Sequence, residues 1–355
     1  MSPSRYALSA AVVAVVLFLV WLVWPTRTKS NASSQPSSSA SPELPSHPAS
    51  AGGDVGPTTV YAHNLLLRKG PTFRIYIRWI RGQMLRTQKD NHPSLDDPES
   101  FVFLIQKGVI HANLGDIGTF LNADMPKSPL KKISVTGEGD QVKISGTLHK
   151  LLVPLPVEML SIVSAMPDGR IHLHVTKINV LKVPVKGLMG GLHLDIKDVV
   201  GSDPVAGVEV SGNDLYLDTA KLLPPPHIRG LLTSITVAAP DLVLIYGNAP
   251  NDEAELAQWH NFLRFTGGTV DFGKLTMHNA DLTLIDASDD PWFDLDLVNY
   301  QAQLVNGISR MTPQAGLEIF MPDVGEQNNP IKKIPLEWLK DRNRSLPHSV
   351  PAPAN

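Results

Sequence analysis

The chain has 355 residues, a formal net charge of -3 at pH 7 and a charged fraction of 18%, so its overall charge gives no indication of nucleic-acid binding. It contains no cysteine, which excludes disulfides, thiolate catalysis and zinc sites with cysteine ligands. Because small secreted eukaryotic domains more often carry disulfides, this composition favours a protein of the bacterial cell envelope.

An apolar segment near the N-terminus predicts a transmembrane helix. Residues 7–24 are apolar apart from one serine, and about 18 residues at ~1.5 Å per residue span roughly 27 Å, close to the thickness of a bilayer core. Trp21 and Trp24 at one end and Tyr6 at the other lie where aromatic side chains favour the membrane interface. A cleaved signal peptide is the alternative, but its apolar core is usually shorter and is followed by small residues, so the sequence favours an uncleaved signal-anchor.

The segment that follows the anchor predicts a disordered stalk. Residues 25–57 are rich in serine and proline and contain almost no large apolar side chain, so they cannot offset the entropy lost on ordering. Charges on the two sides of the anchor nearly balance, but the long Ser/Pro-rich segment favours a cytoplasmic N-terminus and a periplasmic or otherwise extracytoplasmic domain. The predicted organisation is a short N-terminal tail at 1–6, the anchor at 7–24, the stalk at 25–57, a β-rich domain at 58–250, a strand-rich extension at 251–340 and a disordered tail at 341–355.

Alternation of apolar and polar residues from residue 58 onward predicts β-strands. In the first clear example Phe73, Ile75, Ile77 and Trp79 share one face, and Arg74, Tyr76 and Arg78 share the other. The turn sequences Glu138-Gly139-Asp140 and Pro167-Asp168-Gly169 predict antiparallel hairpins, because glycine tolerates the positive φ of tight turns. Further strands are predicted at Asp214–Leu217, Leu231–Val237, Leu242–Tyr246, Thr269–Met277, Asp281–Ile285, Phe293–Leu304 and Gly316–Met321.

Helices are predicted to be fewer than strands. The candidates are Leu114–Asn122, Val185–Val199, Thr219–Leu223 and Asp252–Phe265. In the second, Leu188, Leu192 and Ile196 recur at helical spacing, although its glycines weaken the helix by about 1 kcal/mol each relative to alanine. The predicted fold class is therefore α+β and strand-dominated, with a long antiparallel sheet packed on one or two helices and preceded by a single transmembrane helix.

A set of short motifs indicates a family resemblance. In chain order they are Ile144-Ser145-Gly146, Val153 to Val157, Pro167-Asp168-Gly169, Val183-Pro184-Val185, Gly212-Asn213-Asp214, Leu222-Leu223-Pro224 and Leu242 to Gly247. With this layout the stretch from about Val109 to Gly247 resembles the LmeA-like family of bacterial periplasmic proteins, whose fold is similar to that of tubular lipid-binding (TULIP) proteins. The resemblance implies a curved sheet wrapped on a helix, with an apolar groove for acyl chains. Residues 267–323 lie outside this pattern and have a looser, AsmA-like character.

A basic stretch begins directly after the stalk. It contains Arg68, Lys69, Arg74, Arg78, Arg81, Arg86 and Lys89, with no acidic residue among them. Arg74, Arg78 and Arg81 are predicted to bind anionic headgroups, because forked guanidinium donors suit phosphate. The alternative is a solvated strand face whose arginines pair with acids elsewhere in the fold.

The segment Leu151 to Met166 has Glu158 as its only charge and predicts an element buried on two sides. Its apolar residues could line a lipid groove or fill a closed core, and the sequence does not separate these two roles. The lipid-lining candidates are Leu152, Leu155, Met159, Leu160, Ile162, Val163 and Met166.

No cofactor and no metal site is predicted. His172 and His174 lie on one strand face, but no third ligand follows from the spacing, and exposed histidines that alternate with core residues are common. The acidic residues between 281 and 296 lack the ligand spacing of a calcium-binding loop.

The chain is predicted not to be an enzyme, because it contains none of the G-x-S-x-G, G-x-x-x-x-G-K-[ST], H-E-x-x-H or G-x-G-x-x-G signatures. A membrane-anchored glycosyltransferase with Asp294 and Asp296 as a metal–nucleotide pair is an alternative. The sequence disfavours it, since strands and helices do not alternate as in a nucleotide-binding sheet.

These features together predict a membrane-tethered extracytoplasmic protein that binds a lipid or lipid-linked molecule in an apolar groove, for envelope maintenance or lipid transfer. The predicted partner is membrane lipid, and no nucleic acid is expected. The alternative is a structural or interaction module whose sheet edges bind another envelope protein.

Overall fold

The computed structural model describes residues 56–69, 73–88, 91–124, 128–149, 154–180, 195–200, 207–222, 225–248, 259–273, 275–288 and 291–323. Among these residues, none of the helices has the length and apolar character needed to cross a membrane. The predicted tail at 1–6, anchor at 7–24 and tail at 341–355 lie outside the described residues, as does the stalk except for Gly56 and Pro57. They stay predictions.

Strands dominate the described part of the chain. They are β1 Thr58–Lys69, β2 Phe73–Arg86, β3 Phe101–Asn113, β4 Leu130–Glu138, β5 Gln141–Leu148, β6 Leu155–Ala165, β7 Ile171–Val180, β8 Val208–Ser211, β9 Asp214–Leu217, β10 His227–Gly230, β11 Leu232–Ala238, β12 Asp241–Tyr246, β13 Phe262–Phe272, β14 Leu275–Asp286, β15 Phe293–Asp296, β16 Ile308–Met311 and β17 Leu317–Met321. The helices in the same residues are α1 Leu114–Asp124, α2 Ile196–Val200, α3 Thr219–Leu222 and α4 Tyr300–Val305, with a single 3-10 turn at Pro98–Ser100. The strand-dominated fold class with few helices is confirmed.

The strands form two sheets. The larger has eleven strands in the order β11-β12-β3-β2-β1-β13-β14-β17-β16, with β10 added to β3 and β15 added to β1. The smaller has six strands in the order β4-β5-β6-β7-β9-β8. Most pairs are antiparallel, and β10, β15 and β17 form the parallel pairs. Since β1 pairs with both β2 and β13, the larger sheet joins strands from before and after residue 250.

The first strand changes its alternation at one residue. Val60 and Ala62 are buried before this point, and Leu65 and Leu67 are buried after it. Asn64 lies between them with a φ of 51°, in the left-handed region that asparagine tolerates better than most residues. This change keeps the apolar side chains of both halves of β1 on the core face of the sheet.

The neighbouring strand β2 changes its alternation at the same level, where its pairing with β3 is irregular between Ile77 and Trp79. Ile80 therefore joins Ile75 and Ile77 in the core, and the prediction that Trp79 shares their face is wrong.

One hydrophobic core runs through both sheets. It contains residues of β1, β2 and β13 from the larger sheet and of β5, β6 and β7 from the smaller sheet, together with Leu114 of α1. Gly137 of β4 marks the junction, because an added Cβ there would lie 3.0 Å from side-chain atoms of Val237 and Ala239. A bulkier residue would therefore push the smaller sheet away from the β11–β12 hairpin.

Predictions for the helices had mixed outcomes. The structure confirms helices at the predicted positions near Leu114 and Thr219. In the third region the helix begins at Ile196, and residues 181–194 lie outside the described part of the chain. The helix predicted at Asp252–Phe265 is wrong over residues 259–265, which are not helical and of which the last four begin β13. Residues 252–258 lie outside the described part of the chain. Phe262, Leu263 and Phe265 are all buried, so this strand lacks the alternation that distinguishes a strand from a helix.

Two predicted strands are also corrected. The strand at Thr269–Met277 is a hairpin, since β13 ends at Phe272 and β14 begins at Leu275, with Gly273 at a φ of 62° between them. The strand at Phe293–Leu304 stops at Asp296 and is followed by α4. The Asp296 carboxylate accepts a hydrogen bond from the Val298 backbone N–H at 2.9 Å, which closes a turn that apolar periodicity alone does not predict.

Candidate functional site

The core face of the larger sheet encloses a small cavity whose lining residues, all within the described chain, are apolar. Leu65, Leu67, Ile77, Ile80 and Leu263 contribute from the long strands β1, β2 and β13. The cavity has a volume of about 20 Å³, which is room for roughly one water-sized molecule. An entirely apolar lining cannot hold a polar ligand but suits hydrocarbon.

The border of this apolar cavity is built from short elements. Leu95 lies in the turn before the 3-10 turn, Ile228 in the four-residue β10, and Leu297 in the turn after β15. The Leu297 backbone N–H donates to the Arg68 carbonyl at 2.8 Å, and the Leu95 N–H reaches the Asp271 carbonyl at 3.4 Å. Because these residues lie in turns and in a four-residue strand, we expect them to move at lower cost than the long strands beneath them.

The lipid-lining residues predicted from sequence lie elsewhere, in and beside β6 of the smaller sheet. Leu155, Met159 and Val163 are buried in the core, while Leu160 and Met166 are half-buried and Ile162 is 43% exposed. Period-two alternation thus separates them onto two faces. None of them lines the apolar cavity, and Leu152 lies outside the described residues.

The predicted headgroup-binding arginines lie on β2. Arg74 forms an ion pair with Asp116 of α1, and its side chain is 26% exposed. Arg78 and Arg81 are also engaged in interactions of their own. Burial raises the pKa of Tyr76 to about 12, although the charge of Arg78 lowers it in part.

Strand register extends the basic surface beyond the stretch seen in sequence. Arg81 lies opposite Lys107 of β3 on one side and opposite Tyr61 of β1 on the other. Tyr61 in turn lies opposite Arg264 of β13. Three basic residues from distant parts of the chain therefore lie in one cross-strand row, next to Ile80, which faces the apolar cavity on the opposite side of the sheet.

A second cleft, of about 300 Å³, lies over β13, β14 and β17. Its lining includes Trp259, Arg264 and Glu318. Trp259 Nε1 donates to Glu318 Oε1 at 3.0 Å, and Arg310 Nε donates to the other oxygen of the same carboxylate at 2.8 Å. Arg264 pairs with Asp281 at 3.1 Å. The charges in this cleft are thus largely matched within the protein.

Acidic residues between 281 and 296 support turns and ion pairs. Asp294 pairs with Arg68 at 2.6 Å, and Asp286 accepts from the Ser288 backbone N–H at 2.8 Å. The Asp296 carboxylate accepts a hydrogen bond within its own turn. Residues 289 and 290 lie outside the described part of the chain.

The smaller sheet brings two histidines and an aspartate together. His172 and His174 lie on one face of β7, and Asp214 of β9 is the register partner of His174. His172 Nε2 and His174 Nδ1 each lie 2.8 Å from Asp214 Oδ1. Hydrogen bonds from His174 and His172 lower the pKa of Asp214. Asp214 is the residue that sequence reasoning missed, because 40 residues separate it from His174 and only strand pairing connects them.

Comparisons of the chain with protein-family models, with curated proteins and with solved structures found no match.

Proposed function

We propose that the domain binds a lipid or lipid-linked molecule by taking an acyl chain into the apolar cavity of the larger sheet. The supporting observation is the lining, which contains hydrocarbon side chains only. In this proposal the larger sheet forms the lipid-binding groove, as the curved sheet does in TULIP-like proteins. The N-terminal anchor keeps the domain near the bilayer. Binding rather than catalysis is its role.

Entry of an acyl chain requires the cavity to open. At about 20 Å³ the closed cavity is too small for a chain, so Leu95, Ile228 and Leu297 must move outward. Each methylene that enters then contributes about 0.8 kcal/mol, and a chain of several methylenes offsets the exposure of the displaced side chains. The cavity is therefore expected to be closed without lipid and wider with it.

In this proposal the cross-strand row of Arg81, Lys107 and Arg264 orients the domain on the membrane surface. Because Arg81 and Lys107 lie on the sheet face opposite the cavity, they would contact the anionic membrane surface rather than the head of the bound lipid. Arg74 is already neutralised by Asp116 and would contribute less. In vesicles that carry the anchored full chain, charge reversal at Arg81 and Lys107 is expected to reduce crosslinking of the domain to an anionic lipid with a photoactivatable headgroup. Unchanged headgroup crosslinking would contradict this part of the proposal.

A photo-crosslinking experiment tests the binding site. The full chain is reconstituted in vesicles that contain a phospholipid with a photoactivatable group in its acyl chain, and crosslinked peptides are identified by mass spectrometry. Crosslinks are expected in β1, β2 and β10, in addition to those in the predicted anchor. Leu297→Trp is expected to remove the cavity crosslinks by filling the space.

The neighbouring residue provides a matched control. Val298 lies in the same turn and is 62% exposed, so Val298→Trp adds the same bulk outside the cavity and is expected to leave the crosslinks unchanged. Equal crosslinking in wild type and Leu297→Trp would overturn the proposal. A stable protein partner in pull-downs, without cavity crosslinks, would support the alternative interaction module.

A further inference from the structure

We infer that His172, His174 and Asp214 form a binding site for a divalent transition-metal ion of the Zn²⁺ type. Their three donor atoms all lie within 4.8 Å of one another. Among the described residues, this is the one group of three or more histidine or acidic side chains whose donor atoms lie this close together. The site lies on the smaller sheet, apart from the apolar cavity, and does not depend on lipid binding.

The backbone presets the arrangement. Residues two apart on a strand point to the same side, so β7 directs both imidazoles to one face. Antiparallel pairing places Asp214 directly opposite His174 and Tyr216 directly opposite His172. A ligand set carried by hydrogen-bonded strands is held more rigidly than one carried by loops.

A second layer of contacts orients His172. Its Nδ1 lies 3.2 Å from the Ser164 hydroxyl oxygen, which leaves Nε2 directed toward the shared point. The Tyr216 ring stacks on the imidazole with centroids 5.0 Å apart and an interplanar angle of 17°. Metal-binding histidines commonly use the second ring nitrogen for such a hydrogen bond.

Two of the three distances between donor atoms are close to the spacing that a metal requires. Ligand bonds of about 2.0–2.1 Å in a tetrahedral site place neighbouring donor atoms about 3.3 Å apart. The two N···O distances of 2.8 Å need to lengthen by only about half an ångström to reach this value. Rotation of the exposed His174 side chain, which is 49% accessible, can supply this change.

The chemistry of the donors selects the type of ion. Two imidazole nitrogens and one carboxylate oxygen suit Zn²⁺ and its neighbours, whereas Ca²⁺ and Mg²⁺ prefer oxygen ligands. The Asp214 side chain is 30% exposed and that of His172 is 22% exposed, so a fourth position is accessible to water.

Nearby charges leave the site approachable by a cation. Arg170 lies over the Tyr216 ring at 5.1 Å from its centroid. It is paired with Asp168 at 2.6 Å and with Glu209 at 2.7 Å. The arginine charge is thus matched by two carboxylates, and Asp214 adds a further negative charge beside the histidines.

Zinc titration of the metal-free full chain in detergent tests this inference. Isothermal titration calorimetry is expected to give one Zn²⁺ site, and Co²⁺ substitution is expected to give visible absorption bands of tetrahedral intensity. His174→Ala and Asp214→Asn are each expected to weaken Zn²⁺ binding at least tenfold and to abolish the Co²⁺ bands. Ser164→Ala is expected to weaken binding about tenfold or more through loss of the orienting hydrogen bond.

His149→Ala is the matched control, because His149 is an exposed histidine at the end of β5 in the same sheet. It is expected to bind Zn²⁺ as the wild type does, and circular dichroism confirms that every variant is folded. Absence of wild-type binding, or equal loss in His149→Ala and His174→Ala, would overturn the inference. Acyl-chain crosslinking is expected to be normal in His174→Ala, so failure here is distinguishable from failure of the proposed lipid site.

Discussion

The two sheets of this protein use their faces differently. In the larger sheet, β13 is buried on both sides around Phe262, Leu263 and Phe265. In the smaller sheet, one face of β6 and β7 packs in the core and the other face carries accessible side chains such as Ile162 and His174. The buried carboxylate of Glu318 in the larger sheet is paired with Trp259 and Arg310, while the side chain of His174 on the open face of the smaller sheet is 49% accessible.

The largest expected effect of this difference is on core truncation. Phe265→Ala is expected to lower the free energy of unfolding by about 3–5 kcal/mol, because a fully buried ring leaves a cavity between two packed layers. Ile162→Ala in the smaller sheet is expected to cost less than about 1 kcal/mol, since this side chain is 43% exposed. Urea unfolding followed by circular dichroism measures both. Similar costs would show that the two sheets are equally buried in solution.

A smaller effect is expected at two glycines with the same backbone conformation. Gly268 in the larger sheet and Gly212 in the smaller sheet both have a φ of 60°. A Cβ added at Gly212 meets nothing within 4 Å, whereas one at Gly268 would lie 2.6 Å from the Thr58 backbone nitrogen and 2.8 Å from the Gly56 carbonyl oxygen.

Gly212→Ala is therefore expected to cost about 1 kcal/mol, from the positive φ alone. Gly268→Ala is expected to cost about 3 kcal/mol, because backbone atoms must also shift. Thermal and urea unfolding of the pair give the difference directly. If the Gly268→Ala variant were as stable as the Gly212→Ala variant, this would contradict the close approach of Gly56 and Thr58 to β13.

The last expected effect depends on pH and concerns alkaline stability. Burial in the larger sheet raises the pKa of Tyr246 to about 12, above the value of about 10 in an unfolded chain. The neutral phenol of Tyr246 therefore contributes to the free energy of unfolding. This contribution is present in full below pH 10 and is lost as the pH rises toward 12. At about 1.4 kcal/mol per pKa unit, the difference between about 10 and about 12 amounts to about 3 kcal/mol.

Tyr246→Phe is expected to flatten the loss of stability between pH 10 and 12, because a phenyl ring does not ionise. Unfolding midpoints at pH 8, 10 and 11.5, with tyrosinate absorbance as an independent readout, measure the slope. The same slope in wild type and Tyr246→Phe would indicate that this ring is accessible to solvent, as side chains on the open face of the smaller sheet are.

Strand prediction succeeded where one face of a strand is open or turn residues are strong. The strand Asp214–Leu217 was predicted with the bounds that the structure has, between Gly212 and the helix at Thr219. Prediction failed at Phe262–Phe265, where burial on both faces removes the period-two signal. It failed again after Asp296, where a side-chain hydrogen bond to the backbone ends the strand.

The candidate sites also contain features that the sequence predicts and features that only strand pairing decides. The sequence by itself determined that Ile75 and Ile77 share a buried face and that His172 and His174 share a face, because both depend only on alternation along one strand. The tertiary structure decided that the apolar cavity is lined by β1, β2 and β13 rather than by β6. It also brought Asp214 to the two histidines. These outcomes depend on which strands pair and in which register, and register is fixed by packing between residues far apart in the chain.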